Sequence, residues 1–134
     1  MAATERWYPL LSDALALHDG MMRGMAESPA PLMAEGSGKL ESALARPRWA
    51  AQLQQADICE QAALLAMGSA QCHALADNNK RLAYIVTVVF LRRNGRPLPA
   101  EQAFVFAKHI EAAVERAETA TSMGDWLRQV TAAS

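Results

Sequence analysis

Cysteine is scarce in this 134-residue chain, with only Cys59 and Cys72 present, too few for a disulfide framework. Thirteen positions apart on a helical pattern, the two fall on nearly opposite faces. Both are read as reduced, mostly buried thiols of a cytosolic protein. Charge of one sign is also lacking: the formal net charge is −1, so no global basic field argues for a nucleic-acid partner. The longest apolar run, residues 82–91, is ten residues, too short to cross a bilayer. The opening MAATERWYPL has neither a basic n-region nor an apolar h-region and does not read as a signal peptide. Glycine is sparse inside the periodic segments, and no repeat is visible. These absences leave a single cytoplasmic domain over residues 1–134, with no membrane and no direct nucleic-acid contact.

What is present is ordinary globular composition, 51% apolar and 20% charged. Ser12 is placed to cap a first helix, SDALALHDGMMRGMA. A connector, ESPAPLMAEGSG at residues 27–38, carries two prolines and two glycines. Residues 39–45 read as a short helix stopped by Arg46-Pro47. Asp57 and Glu60, three apart, open a long helix running to about Leu75. The run LAYIVTVVFL is rich in strand-favouring residues, but residues 80–93 are too long for a typical strand and close on RRNG, a good helix C-terminus. Apolar on all sides, that helix belongs in the middle of the domain. Pro99 starts a fifth helix carrying Phe104, Ile110 and Val114, and Thr121 or Ser122 caps a last one with Trp126, Leu127 and Val130. The expected fold is all-α, about six helices around a central buried one.

Basic residues gather locally at the two ends of that central helix, Lys80-Arg81 and Arg92-Arg93 with Arg96. The first pair closes the stretch HALADNNKR, residues 73–81. His73 is expected in the last turn of one helix, with the next beginning just beyond Asp77. A helix N-terminus offers free N–H groups and a partial positive charge to phosphate. Two cations in the first turn oppose the helix dipole, an arrangement an anion would relieve. Asp77 can cap the helix or hold a magnesium ion that bridges phosphate oxygens. Histidine is the side chain suited to take a proton from a hydroxyl near neutral pH. Base, carboxylate and anion cradle together suit phosphoryl or nucleotidyl transfer. The plain alternative is a capped helix start with solvated charges.

HALADNNKR, followed by an apolar helix ending in FLRRNG, resembles the Doc (death on curing) toxins of the Fic/Doc superfamily. ALALHDG at residues 14–20 resembles the family's first helix, GKLESALARP at residues 38–47 the segment after its flap, and MGDWLRQ at residues 123–129 its last helix. The resemblance implies a Fido (Fic/Doc) fold. It makes His73 the catalytic base, Asp77 the magnesium-binding acid, and Asn78, Asn79, Lys80 and Arg81 the part that holds the phosphates of ATP. Relatives that transfer AMP carry glycine where Lys80 stands, and usually a second arginine where Tyr84 stands. The sequence therefore sides with Doc, which implies a protein kinase using Mg-ATP on a Ser/Thr hydroxyl of a translation factor such as EF-Tu. The alternatives are a Fic-type nucleotidyl transferase and a non-catalytic Fido domain binding an antitoxin-like partner.

The chain departs from the family pattern at three places. Leu75 replaces a core phenylalanine, an apolar swap that touches packing more than chemistry. Asn78 replaces a small residue and suits a positive φ. Ser28 to Gly36 replaces a flap with a Gly-Gly and an Arg-Asp pair, an element expected to align the target peptide by strand pairing. No self-inhibitory Ser/Thr-x-x-x-Glu-Gly/Asn motif is found in a suitable place, so inhibition is expected from a separate Phd-like antitoxin. Gly36-Ser-Gly-Lys39 fails as a phosphate loop, because Leu40 and Met33 stand where Ser/Thr and Gly are needed. His18 is expected to be partly buried and hydrogen-bonded within the first helix, and His109 to be a surface or interface residue. Met21, Met22 and Met25 are expected in core and flap packing.

Overall fold

The computed structural model describes residues 6–132. Six α-helices follow one another: α1 (Leu11–Gly24), α2 (Gly36–Gln54), α3 (Ile58–Gln71), α4 (Asn79–Arg93), α5 (Ala103–Val114) and α6 (Ala120–Val130). A one-turn 3-10 helix, Ala100–Gln102, precedes α5. No strand forms among the described residues, so the architecture is all-α as expected.

The centre is two helices wide. α3 packs on α2, α4, α5 and α6, and α4 packs on α1, α3 and α5. α3 brings the small residues Ala62, Ala63, Ala66 and Ala70 into the core, which lets its neighbours approach closely. α4 is a helix despite its β-branched run, and buries Leu82, Ala83, Val86, Thr87, Val89, Phe90 and Leu91. At its C-terminal end Gly95 takes φ 83°, the left-handed conformation that costs glycine nothing. Asn94 pins the N-terminal segment there, its Oδ1 accepting from Trp7 N–H and its Nδ2 donating to Trp7 C=O, both at 3.0 Å.

Several helix limits differ from the expected ones. α1 starts at Leu11, and Asp13 rather than Ser12 supplies the terminal contact, accepting from Leu10 N–H at 2.8 Å. α2 runs through Pro47. The ring removes one helical hydrogen bond, yet Leu40, Ala43, Leu44, Pro47 and Ala50 form one continuous buried stripe, and that packing carries the helix past the proline. Asp57 caps α3 as expected by accepting from Glu60 N–H at 2.8 Å. Glu60 itself turns to Arg128, which also pairs with Asp57. Burial alone would raise the Asp57 carboxyl, but Arg128 and the Glu60 amide together hold it below its usual range. α3 ends at Gln71, short of Leu75. α6 is capped two residues earlier than expected, by Thr119, whose Oγ1 accepts from Ser122 N–H at 3.0 Å while Ser122 Oγ accepts from Thr119 N–H at 3.2 Å. On α5 the buried aromatic is Phe106, whereas Phe104 stands in solvent.

Both cysteines are free thiols; Cys59 is buried and Cys72 half-buried at the end of α3, where burial pushes its thiol up. No described helix is long and apolar enough to cross a membrane.

Candidate active site

The α3–α4 junction is a tight loop whose middle is core. Ala74 and Leu75 are fully buried, while His73, Ala76 and Asp77 on either side are exposed. His73 therefore lies beyond α3 rather than in its last turn, with its backbone at φ 52°. Left-handed backbone in a non-glycine residue is uncommon and gathers at sites where surrounding structure holds it. Leu75, the apolar plug, is what turns the chain there. Asn79 fixes it by accepting from Leu75 N–H and donating to Leu75 C=O, each at 3.0 Å.

Asp77 accepts from the Asn78 N–H at 2.7 Å through Oδ1. Asn78 takes φ 64° ahead of α4, the positive value that makes asparagine the best-tolerated side chain there. The first helical bond of α4 runs from Leu82 N–H to Asn78 C=O at 3.1 Å. The N–H groups of Asn79, Lys80 and Arg81 ahead of it have no helical acceptor. A cavity of about 340 Å³ is lined by His73, Asp77, Asn78, Asn79, Lys80 and Arg81, with Ala70, Ala76 and Val114 as its apolar walls. Every residue singled out in the sequence motif thus borders one space. The Asn79 side chain is committed to Leu75.

The flap segment docks on this loop. Met33 N–H donates to Ala74 C=O at 2.8 Å and Ala76 N–H donates to Pro31 C=O at 2.9 Å, so that Leu32 and Leu75 face each other as an isolated antiparallel bridge. Proline does no harm here, because Pro31 supplies only a carbonyl. Gly36, the first residue of α2, lies so close that a Cβ would sit 2.3 Å from the Ala74 oxygen. Gly36 and Lys39 are helical, which removes any phosphate-loop geometry from that stretch.

Two features of the site were invisible in the sequence. Arg81 donates to Glu27 at 2.6 Å and approaches Met22 Sδ at 3.7 Å. Glu27 is 54 residues away, and no local spacing relates the two. A second, apolar cavity of about 430 Å³ adjoins the first across Lys80 and Arg81, between Met21, Tyr84, Phe104 and Ile110. Tyr84 was legible only as the residue standing where some relatives carry arginine.

The remaining candidates separate from the site. His18 is buried but has no hydrogen-bond partner at either ring nitrogen, contrary to expectation; its neighbour Asp19 pairs with Arg23. Burial, with Arg81 nearby, holds the imidazole below its ordinary range against the opposing pull of Asp19. His109 is half-buried: its Nδ1 meets Glu118 at 2.6 Å and its ring lies 4.4 Å from that of Trp126. Its partner comes from beyond the end of α5, so helical spacing could not find it. Of the methionines, Met22 is core, Met21 lines the apolar cavity, and Met25 is exposed. A larger cavity, about 560 Å³, surrounds Arg96 and Arg128 at the far end of α4, where both guanidiniums are already bonded to neighbours.

A family model described as the Fic/DOC family matches residues 8–91. The chain belongs to the Fic/DOC family. The match spans α1 to α4 and takes in the whole junction loop, and the all-helical architecture is consistent with the Fido fold. α5, α6 and the MGDWLRQ stretch lie beyond it. A search of curated proteins returned no match. Fic/DOC proteins typically transfer nucleotide or phosphate groups to proteins with Mg-ATP. The junction suits a metal that arrives with its nucleotide. No group of three His, Cys, Asp or Glu able to cage an ion exists among the described residues, whereas magnesium characteristically takes one or two carboxylates plus phosphate oxygens. Asp77, with one carboxylate oxygen beyond its bond to Asn78, fits that role.

Proposed function

We propose that this chain is the toxin of a toxin–antitoxin pair, a Doc-like protein kinase of the cytoplasm. It transfers the γ-phosphate of Mg-ATP to a serine or threonine hydroxyl of a translation factor such as EF-Tu and so blocks translation. One observation carries the reading: His73, Asp77, Lys80, Arg81 and the open N-terminus of α4 border a single cavity. The target hydroxyl oxygen attacks the γ-phosphorus, His73 takes the hydroxyl proton, and the bond to the departing ADP oxygen breaks. Lys80, Arg81 and the N–H groups of residues 79–81 hold the phosphate oxygens and the charge that builds on them. Asp77 holds the magnesium that shields those oxygens. The target peptide lies along the flap, whose Leu32 N–H and C=O point away from the junction because backbone groups alternate along an extended chain. A Phd-like antitoxin silences the protein by covering the helices next to the site.

Parallel reactions with α-labelled and γ-labelled ATP on bacterial lysate containing EF-Tu test this, comparing wild type with His73→Ala. Label from the γ position alone, lost in the variant, is the expected result. Label from the α position moves the protein to nucleotidyl transfer. No label from a folded protein leaves a non-catalytic binding domain.

A further inference from the structure

We propose that the C-terminal end of α4, opposite the junction, is a docking surface for single-stranded RNA, held through its phosphodiester backbone. The formal net charge of −1 excludes a basic field over the whole chain, yet the fold collects positive charge in one place. Arg92 and Arg93 stand in the last turn of α4. Arg93 lies over the Trp7 ring and Arg48, from α2, over the Tyr8 ring, each 4.9 Å from the ring centroid. Trp7 is itself tied to Asn94, so the N-terminal segment brings these guanidiniums to the same helix end. Arg6 and Arg96 line the cavity of about 560 Å³ beside Asn94. Cations at a helix C-terminus suit the dipole, which accounts for Arg92 and Arg93 but not for Arg6, Arg48 and Arg96.

Among the described residues, none of these arginines pairs with a carboxylate. Arg96 donates to Thr131 and to the Arg128 C=O, neutral partners that leave its charge uncompensated. The carboxylate on the cavity wall, Asp57, is bound to Arg128 together with Glu60 and Asp125, and the positive surface ends at that cluster. Arginine rather than lysine fills every position, and its planar fork grips phosphate oxygens in pairs. Trp7 and Tyr8 are half-buried under the guanidiniums, so neither ring is free to anchor a folded protein partner. A flexible strand can bend to meet cations carried on three separate segments, residues 6, 48 and 92–96, whereas a duplex presents its phosphates in fixed rows. Contacts of this kind carry no base specificity. About 20 Å of helix separates the surface from the junction, so this inference stands apart from the kinase reading.

Fluorescence anisotropy of a labelled oligouridine, titrated with the full chain over a range of salt, tests the surface. Affinity should fall with salt, with a log–log slope of about −0.7 for each phosphate engaged. Arg92→Ala/Arg93→Ala should weaken binding roughly tenfold and flatten the slope by about 1.4. Arg92→Lys/Arg93→Lys keeps the charge and should retain most of the binding. Arg92 touches nothing inside the fold, so Arg92→Ala alone should weaken binding and leave the melting temperature in place. Arg81→Ala and saturating Mg-ATP act on the junction and should change nothing. Binding that Arg81→Ala or Mg-ATP abolishes and Arg92→Ala/Arg93→Ala spares puts the strand at the junction and overturns the inference. Polyglutamate that displaces the label as well as unlabelled oligouridine does makes this a surface for an acidic protein, and overturns the RNA assignment. A duplex that binds as tightly as the single strand overturns the choice of strand. Binding indifferent to salt, or none at all, overturns the surface and leaves the phosphoryl-transfer reading untouched.

Discussion

The Asn79 carboxamide satisfies both backbone polar groups of Leu75, accepting from its N–H and donating to its C=O at 3.0 Å each. One side chain at the start of α4 thereby closes the loop that displays His73 and Asp77. Asn94 does the same for Trp7 at the other end of α4.

Asn79→Ala should therefore loosen the loop without emptying the cavity of charge. Two hydrogen bonds vanish and the buried Leu75 backbone keeps no partner there, a cost of about 2 kcal/mol. Denaturant unfolding should show that loss. Phosphoryl transfer should fall more than nucleotide affinity does, since Lys80, Arg81 and the N–H groups remain. Equal losses in both would mean that the Asn79 side chain itself holds phosphate.

Glu27 occupies Arg81 at 2.6 Å, so a phosphate that uses this guanidinium has to displace it. Both partners are more than a third exposed, and pairs of that kind are worth about 0–1 kcal/mol. Glu27→Gln should tighten Mg-ATP binding by only about two- to fivefold, with no gain when Arg81 is also replaced. Weaker binding in Glu27→Gln would show that the carboxylate steadies Arg81 rather than competing for it.

The contact is held by a helix end. Ala26 N–H donates to Arg23 C=O at 3.0 Å and Glu27 N–H to Met22 C=O at 2.9 Å, the paired bonds of a Schellman motif. Ala26 therefore sits at φ 57°, where glycine is at ease and an L side chain is strained. Ala26 is exposed, so Ala26→Gly loses no packing. It should raise stability by about 0.5–1 kcal/mol, after the larger chain entropy glycine loses on folding. A melting temperature that falls would refute the strain.

What was legible in advance was local. α4 and the polar lining of its N-terminal cavity follow from one nine-residue stretch, 73–81, and the Asp57 cap from a spacing of three. Pro47 misled because its helix is sustained by a buried stripe that packing on α3 and α1 completes. Thr119, two residues upstream of the expected cap, wins by reciprocal bonds to Ser122 that either hydroxyl could have offered elsewhere. Glu27 with Arg81 and His109 with Glu118 were beyond reach for one reason. Each pairing is made by how a chain turns after a helix ends, and no periodicity records that. The flap was legible as a departure from relatives, yet its prolines concealed a pairing that needs only a carbonyl from Pro31.

His18 offers the pH dependence that follows from one such surprise. It is 2% exposed with both ring nitrogens unpartnered, and burial drives its pKa below the ordinary 6.5. The unfolded chain then binds a proton that the folded chain refuses. Stability is full above about pH 6.5 and is lost as pH falls from there toward the folded value. His18→Leu removes both the titration and two buried nitrogens that lack partners. It should be about 1 kcal/mol more stable at pH 7, with the advantage growing at pH 5. Denaturant unfolding of both proteins at the two pH values measures the difference directly, and Asp57 and the other carboxylates cancel from it. An advantage that is the same at pH 5 and pH 7 would mean the imidazole gains its proton inside the fold, which the packing around it does not favour.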